Sequence, residues 1–108
     1  MYINHWKIQR LSAIALIPAM LYLIYYFTNI SNLSYNDVIT DLSSLTGIIY
    51  VTVMSLILFT HSSLGIETIL EDYVHDSTYQ KFFISLSKII HVILLLLTLS
   101  SLYLIVGT

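Results

Sequence analysis

His61 is the residue of this chain whose type and position most demand a chemical reason. From 42 to 66 the sequence carries no Asp, Glu, Lys or Arg, and His61 lies inside that run. An imidazole at membrane depth is costly without a partner, which makes it a functional-site candidate by default. Glu67, Glu71, Asp72 and Tyr73 follow the run. Asp72 and Tyr73 come about three helical turns after His61, which sets them on nearly the same helix face. One chemistry open to His61 is metal ligation, since a haem in a helix bundle takes axial histidines from facing helices. The plainer alternative is an imidazole hydrogen-bonded to a neighbouring helix. Gly65, one turn on, either leaves room for a bulky cofactor or permits a close helix contact.

Tyr73 and Asp72 suggest a second chemistry. A phenol hydroxyl can donate to a quinone carbonyl, while a carboxylate beside it holds the phenol or relays protons. The same two residues would also make an ordinary polar helix end. Arg10 and Ser12, early in the first apolar helix, are expected to face this region, although Arg10 can equally serve as a lipid-headgroup anchor. His91 is the other histidine near membrane depth. It follows Lys88 by one turn and is therefore expected close to the interface, as a hydrogen-bonding residue. His61 is expected about 16 Å further into the bilayer than Asp72. On this reading the two histidines do not share a metal.

The elements that carry these residues are membrane helices. Of the 108 residues, 57% are apolar and only 9% charged, against about a quarter charged in a soluble domain. Three windows, 11–30, 42–66 and 89–107, are long and apolar enough to cross a hydrocarbon core that needs roughly 20 residues. The prediction is an all-α membrane protein: a single anchor domain over 1–108 with three transmembrane helices, about 11–30, 42–74 and 79–107. No room is left for a soluble catalytic domain. The second helix is expected to run about 45 Å, with its last two turns in the headgroup layer.

The cations are Lys7, Arg10, Lys81 and Lys88, whereas the connection 31–41 carries only Asp37 and Asp41. The positive-inside rule then puts the N-terminus inside and the C-terminus outside. No cleavable leader is expected, because the polar start is too short and the first apolar run too long for one. Cysteine is absent, which excludes disulfides and thiolate-bound metals or clusters within the chain. Tyr2 and Trp6 are expected as headgroup-level anchors, and Tyr22, Tyr25, Tyr26 and Phe27 as an aromatic belt at the other interface. Pro18 marks a tolerated kink. Asn36-Asp37 is expected to open a short surface helix, Asp41 or Ser43 to cap the second span, and Ser77 with Gln80 to form a capping box for the third. A composition rich in Ile, Leu, Tyr, Asn and Ser suits an AT-rich coding genome, mitochondrial or endosymbiotic.

Two stretches together resemble a known family. Gln9-Arg10-Leu11-Ser12-Ala13-Ile14-Ala15-Leu16, followed by Pro18 and preceded by His5-Trp6, is similar to the first-helix opening of the succinate dehydrogenase hydrophobic membrane anchor, the cytochrome b small subunit. The stretch from His61 through Gly65 and Ile69 to Asp72-Tyr73-Val74 resembles that family's second-helix signature, H-x-x-x-G-x-x-x-(I/V)-x-x-D-Y-V. The likeness spans the full length and is nearest to alphaproteobacterial and mitochondrially encoded forms.

The resemblance implies a non-catalytic anchor subunit of a succinate:ubiquinone oxidoreductase (complex II). Its partners would be a second membrane anchor, an iron–sulfur subunit and a flavoprotein subunit holding FAD. The remaining contact would be with the lipid membrane; no nucleic acid is implied. His61 would be one axial ligand of the haem b iron, with the second histidine coming from the second anchor. Tyr73 and Asp72 would bind ubiquinone, and Arg10 and His5 would lie in the haem-propionate region. Ser12 is a lesser quinone candidate, because the family's quinone serine belongs to the second anchor. The implied location is the mitochondrial inner membrane or, alternatively, a bacterial inner membrane. Other readings are a structural three-helix accessory subunit without a cofactor, a proton-pathway subunit, and a fumarate reductase anchor.

Overall fold

The computed structural model describes residues 2–107, with side chains from Asn4 onward. The side chain of the expected anchor Tyr2 thus lies outside the described part. Four α-helices follow one another: α1 (Tyr2–Thr28), α2 (Tyr35–Ser43), α3 (Leu45–Tyr73) and α4 (Ser77–Val106), with a 3-10 turn at Ile30–Asn32 between α1 and α2. Three of them are long and apolar enough to cross a membrane, over Asn4–Thr28, Leu45–Tyr73 and Ser77–Val106. In a bilayer every backbone polar group must be satisfied internally, and a continuous helix does this. Mean hydropathy is 2.6 for the α4 span and 1.6 for the α3 span. The α3 value is lowered by Thr, Ser, Tyr and His residues distributed along the helix.

The helices form an open layer with α3 in the middle. α3 packs against α1 on one side and α4 on the other, and among the described residues α1 and α4 do not pack against each other. Both seams are antiparallel. Ser12 meets His61 and Ala19 meets Tyr50 across the first; Ser62 meets His91 and Glu67 meets Lys88 across the second. The long dimension is 51 Å. Leu16, Met54 and Leu102 are the buried apolar side chains, and no side chain is completely enclosed among the described residues. Broad faces of Ile, Leu and Phe are left outward, as a chain solvated by lipid and by other helices requires.

Local chemistry explains the helix boundaries and revises three expected caps. The surface helix does form, but Ser34 opens it. The Ser34 hydroxyl accepts the Asp37 N–H at 3.1 Å and the Asp37 carboxylate accepts the Ser34 N–H at 2.9 Å, a reciprocal capping box. These hydrogen bonds hold the Asp37 carboxyl below the usual carboxylate range. Asp41 and Ser43 fall inside α2, so neither caps the next helix. Ser44 does: its extended backbone turns the corner, and its hydroxyl accepts the Gly47 N–H at 3.0 Å. That corner is tight, because a Cβ on Gly47 would overlap the Asp41 carbonyl oxygen.

At the start of α4 the cap is Asp76, not Ser77. Its carboxylate accepts the N–H groups of Thr78 and Tyr79 at 2.9 and 3.2 Å. An anionic cap also complements the helix dipole, which a hydroxyl does not. Gln80 instead reaches back to the Val74 carbonyl at 2.8 Å, closing the end of α3. Pro18 lies inside α1, which runs on through it. One residue later the Ala19 carbonyl accepts the Tyr50 hydroxyl at 2.6 Å.

Candidate functional site

The α1–α3 register brings Ser12 to His61. Ser12 is 8% exposed, and its Oγ lies 2.9 Å from His61 Nδ1. The same Oγ donates to the Gln9 carbonyl oxygen one turn back, also at 2.9 Å. A hydroxyl has one hydrogen and two lone pairs. With that hydrogen on the Gln9 carbonyl, the second contact is made only if Nδ1 carries a proton and donates to Ser12 Oγ. The chain of donors, Nδ1–H to Oγ–H to C=O, therefore leaves Nε2 as the nitrogen with a free lone pair. Nε2 makes no hydrogen bond to any described residue, and the His61 side chain is half-buried. The hydrogen-bonded and ligand readings of His61 thus describe two sides of one ring. One nitrogen is held by a neighbouring helix and the other is free of any hydrogen bond to a described residue.

His91 is arranged differently. The Ser87 carbonyl oxygen, 2.7 Å from Nδ1, can only accept, so Nδ1 carries the proton. Nε2 then accepts from the Ser62 hydroxyl at 2.9 Å. Both ring nitrogens are engaged, and Phe59 packs edge-on against the ring with centroids 6.4 Å apart. His91 is 9% exposed. Bonding to Ser62 sets His91 level with His61 along the layer, rather than at the separate level expected. The two rings lie on different sides of α3, because successive helical residues point about 100° apart. The prediction that His91 is a hydrogen-bonding residue stands, and Ser62, which carries no signal of its own in the sequence, is its partner.

Gly65 serves as a close contact. A Cβ there would stand 3.2 Å from Gln9 Nε2, so the space beside α3 is used by a side chain of α1. Gln9 is not among the expected site residues, yet it supplies both this contact and the carbonyl that fixes the Ser12 hydrogen. On the opposite seam Lys88 Nζ lies 4.0 Å from Glu67 Oε1, with Lys88 57% and Glu67 14% exposed. Glu67 Oε2 and Gln9 Oε1 are buried without a hydrogen-bond partner among the described residues.

The remaining expected residues lie at the end of the layer where α1 begins and α3 ends. Asp72 and Tyr73 are exposed, Tyr73 at 78%, and no hydrogen bond joins them. Adjacent helical residues do not face one another, so Asp72 does not hold the Tyr73 phenol within this chain. Arg10 stacks over Trp6 with the guanidinium carbon 4.7 Å from the ring centroid, a cation–π contact on one helix face. His5 is exposed on the same helix. Extending the register from Ser12–His61 sets Arg10 about level with Ser63 and His5 about level with Thr68. No hydrogen bond or ion pair connects Arg10 or His5 to His61, Asp72 or Tyr73. The structure thus brings Ser12 to His61 rather than to the Asp72–Tyr73 end where it was expected.

These residues fit one half of a bis-histidine haem site. The tautomer leaves Nε2 unprotonated, and Nδ1 is held as metal-bound imidazoles generally are. No group of three or more His, Cys, Asp or Glu is gathered among the described residues, and a haem asks only one imidazole of a helix.

Residues 2–99 match the model of the succinate dehydrogenase/fumarate reductase transmembrane subunit family. A relative, the succinate dehydrogenase hydrophobic membrane anchor subunit of Rickettsia bellii (strain RML369-C), is 30% identical over 71 residues. That stretch is 66% of this chain and 57% of the relative, so the match spans less than two thirds of the relative's length. No solved structure matches the chain. Three apolar spans and a match over residues 2–99 lead to one assignment: the chain belongs to the succinate dehydrogenase/fumarate reductase transmembrane subunit family.

Proposed function

We propose that this chain is the smaller, hydrophobic membrane anchor of a succinate:ubiquinone oxidoreductase, contributing His61 to haem b and Tyr73 and Asp72 to the quinone-reduction site. The observation that carries the haem reading is the hydrogen-bond chain from His61 Nδ1 through Ser12 Oγ to the Gln9 carbonyl. It fixes the ring and leaves Nε2 as the only nitrogen able to ligate. When bound, haem b supplies a one-electron store within the membrane. Ser12 holds the imidazole orientation against rotation. Arg10 and His5, on the first helix toward the same end, provide positive charge and donors for propionates.

At the end of α3, Tyr73 offers its hydroxyl to a quinone carbonyl. The exposed Asp72 carboxylate takes up and hands on protons at its own oxygens. Both side chains lie open, ready to be covered by neighbouring subunits. Those neighbours would be a second membrane anchor with the other axial histidine, an iron–sulfur subunit and an FAD-bearing flavoprotein. The side holding Lys7, Arg10, Lys81 and Lys88 would face the soluble subunits, in the inner membrane of a mitochondrion or a bacterium. The bacterial relative and the name it carries support the succinate-oxidising direction over the fumarate-reducing one.

The test is the reduced-minus-oxidised spectrum of the assembled complex carrying His61→Ala. Loss or displacement of the b-type bands is expected. An unchanged spectrum would refute the ligand role.

A further inference from the structure

At the end of the layer away from the four cations, α1, α2 and α3 enclose a cavity of about 620 Å³, walled by Tyr22, Tyr26, Ile30, Val38, Leu42 and Tyr50 among others. A second cavity of about 550 Å³ adjoins it, sharing Tyr22 and Tyr50 and continuing along the α1–α3 seam past Val53 to Ile57. Tyr22 and Tyr50 pack at a tilt between the two, their ring centroids 5.0 Å apart. Together they make a trough that follows α3 from Gly47 to Ile57, about 15 Å along the helix axis. That is about half the thickness of a hydrocarbon core. The trough therefore runs parallel to lipid chains and is as deep as one leaflet.

The rim is polar and anionic. Tyr26 donates to Asp41 Oδ2 at 2.8 Å, bridging α1 to α2 above the cavity. The other Asp41 carboxylate oxygen has no hydrogen-bond partner among the described residues. Asp37, nearby on α2, is occupied with its capping box. Lys7, Arg10, Lys81 and Lys88 all lie toward the opposite end, so this rim bears negative charge with no cation of the chain to balance it. A ligand recognised mainly through carbonyl acceptors is poorly served here, because the Tyr26 and Tyr50 hydroxyls already donate to Asp41 and to the Ala19 carbonyl. An anionic headgroup would be repelled.

We propose that the trough holds one acyl chain of a phospholipid with an ammonium headgroup, the ammonium pairing with the Asp41 carboxylate at the rim. The inference does not depend on haem or quinone binding. It also explains the polar connection 31–41, since α2 roofs a lipid site and Tyr26 holds the Asp41 carboxylate over its mouth.

The assembled complex, stripped of loosely held lipid in detergent, is offered equal amounts of phosphatidylethanolamine and phosphatidylglycerol, and retained lipid is counted by native mass spectrometry. A single partly exposed ion pair predicts about a two- to five-fold preference for the ethanolamine lipid. Asp41→Asn preserves the Tyr26 hydrogen bond and should abolish the preference while lipid is still retained. Thr46→Trp, which fills the junction of the two cavities, should lose the retained lipid. A photo-reactive side chain at Tyr22 should label lipid. Equal retention of both lipids by the unaltered complex, a preference that survives Asp41→Asn, or labelling of a protein chain at Tyr22 would each overturn the proposal.

Discussion

Ser12→Ala is the sharpest perturbation available, because it removes one oxygen from the centre of the hydrogen-bond chain and little else. The lost contact is the 2.9 Å bond to His61 Nδ1. A net hydrogen bond contributes about 0.5–1.5 kcal/mol, and stranding a buried donor costs about 1–3 kcal/mol. Ser12 is 8% exposed, so little water reaches Nδ1 to replace it and the larger range applies. Loss of an outer-shell partner of a metal-bound histidine typically lowers metal affinity about 10–100-fold, or roughly 1.4–2.8 kcal/mol, in agreement with the estimate from the structure.

The assay is haem retention by the purified complex during dilution into a haem scavenger, followed at the b-type bands, alongside the midpoint potential. Ser12→Ala should release haem about 10–100-fold faster and shift the potential, while Ser12→Thr, which keeps a hydroxyl, should restore both. Unchanged haem release and potential in Ser12→Ala, with His61→Ala haem-free, would show that Ser12 does not orient the ligand. If His61→Ala itself keeps its haem, the ligand assignment fails instead, and the two failures are distinguishable.

Other expectations follow from the same geometry. Tyr73→Phe should impair quinone reduction while leaving succinate oxidation by an artificial soluble acceptor intact, because in the proposed function the phenol serves the quinone alone. Full quinone turnover in that variant would remove Tyr73 from the site. Gly47→Ala should destabilise the α2–α3 corner by about 1–3 kcal/mol, since the new methyl meets backbone, while Gly107→Ala, where a Cβ has ordinary contacts, should be silent; thermal unfolding of the complex compares them. The Asp37 carboxyl is depressed below its ordinary range by the Ser34 hydrogen bonds, so its capping contribution is present above the unfolded pKa and disappears as pH falls through the depressed one. Hydrogen exchange at the start of α2 should therefore show protection, relative to Asp37→Asn, at neutral pH that is lost in acid.

Much of this architecture is legible in the residues alone. Lipid solvent leaves only the helix and the closed barrel as spanning elements, and long apolar runs mark three helices. His61 stands out because an imidazole within an uncharged run needs a reason. What a linear sequence does not carry is register. Ser12 and His61 are 49 positions apart, and only the side-by-side setting of α1 and α3 shows that they meet.

The level of His91 relative to His61 departs from expectation for a specific reason. Lys88 marks the interface by its charge, but its long side chain reaches toward Glu67, and such a stem lets the backbone sit deeper than the charge. The displaced caps share a different cause. Ser43 and Asp41 are good cap residues by type, but α2 continues through them, and where a helix stops depends on the corner that Gly47 permits.

The one-helix-thick arrangement of α1, α3 and α4 has a consequence for how such a sequence can change over time. A chain without an enclosed centre has few positions where shape is prescribed. Along most of α4, Leu96 and Leu97 being 58% and 59% exposed, any aliphatic residue of suitable hydropathy meets the physical requirement. Exchange among Ile, Leu, Val and Phe there leaves no cavity and strains no neighbour. Within the spans, prescription is strongest at the two seams, where Ser12, His61, Gly65, Ser62 and His91 touch, and beyond them at the Gly47 corner. Drift can thus be rapid along the outward aliphatic faces, and the 30% identity to the Rickettsia anchor is no sign of a different architecture. Relatives of this chain are better sought by the spacing of a few seam residues than by overall similarity.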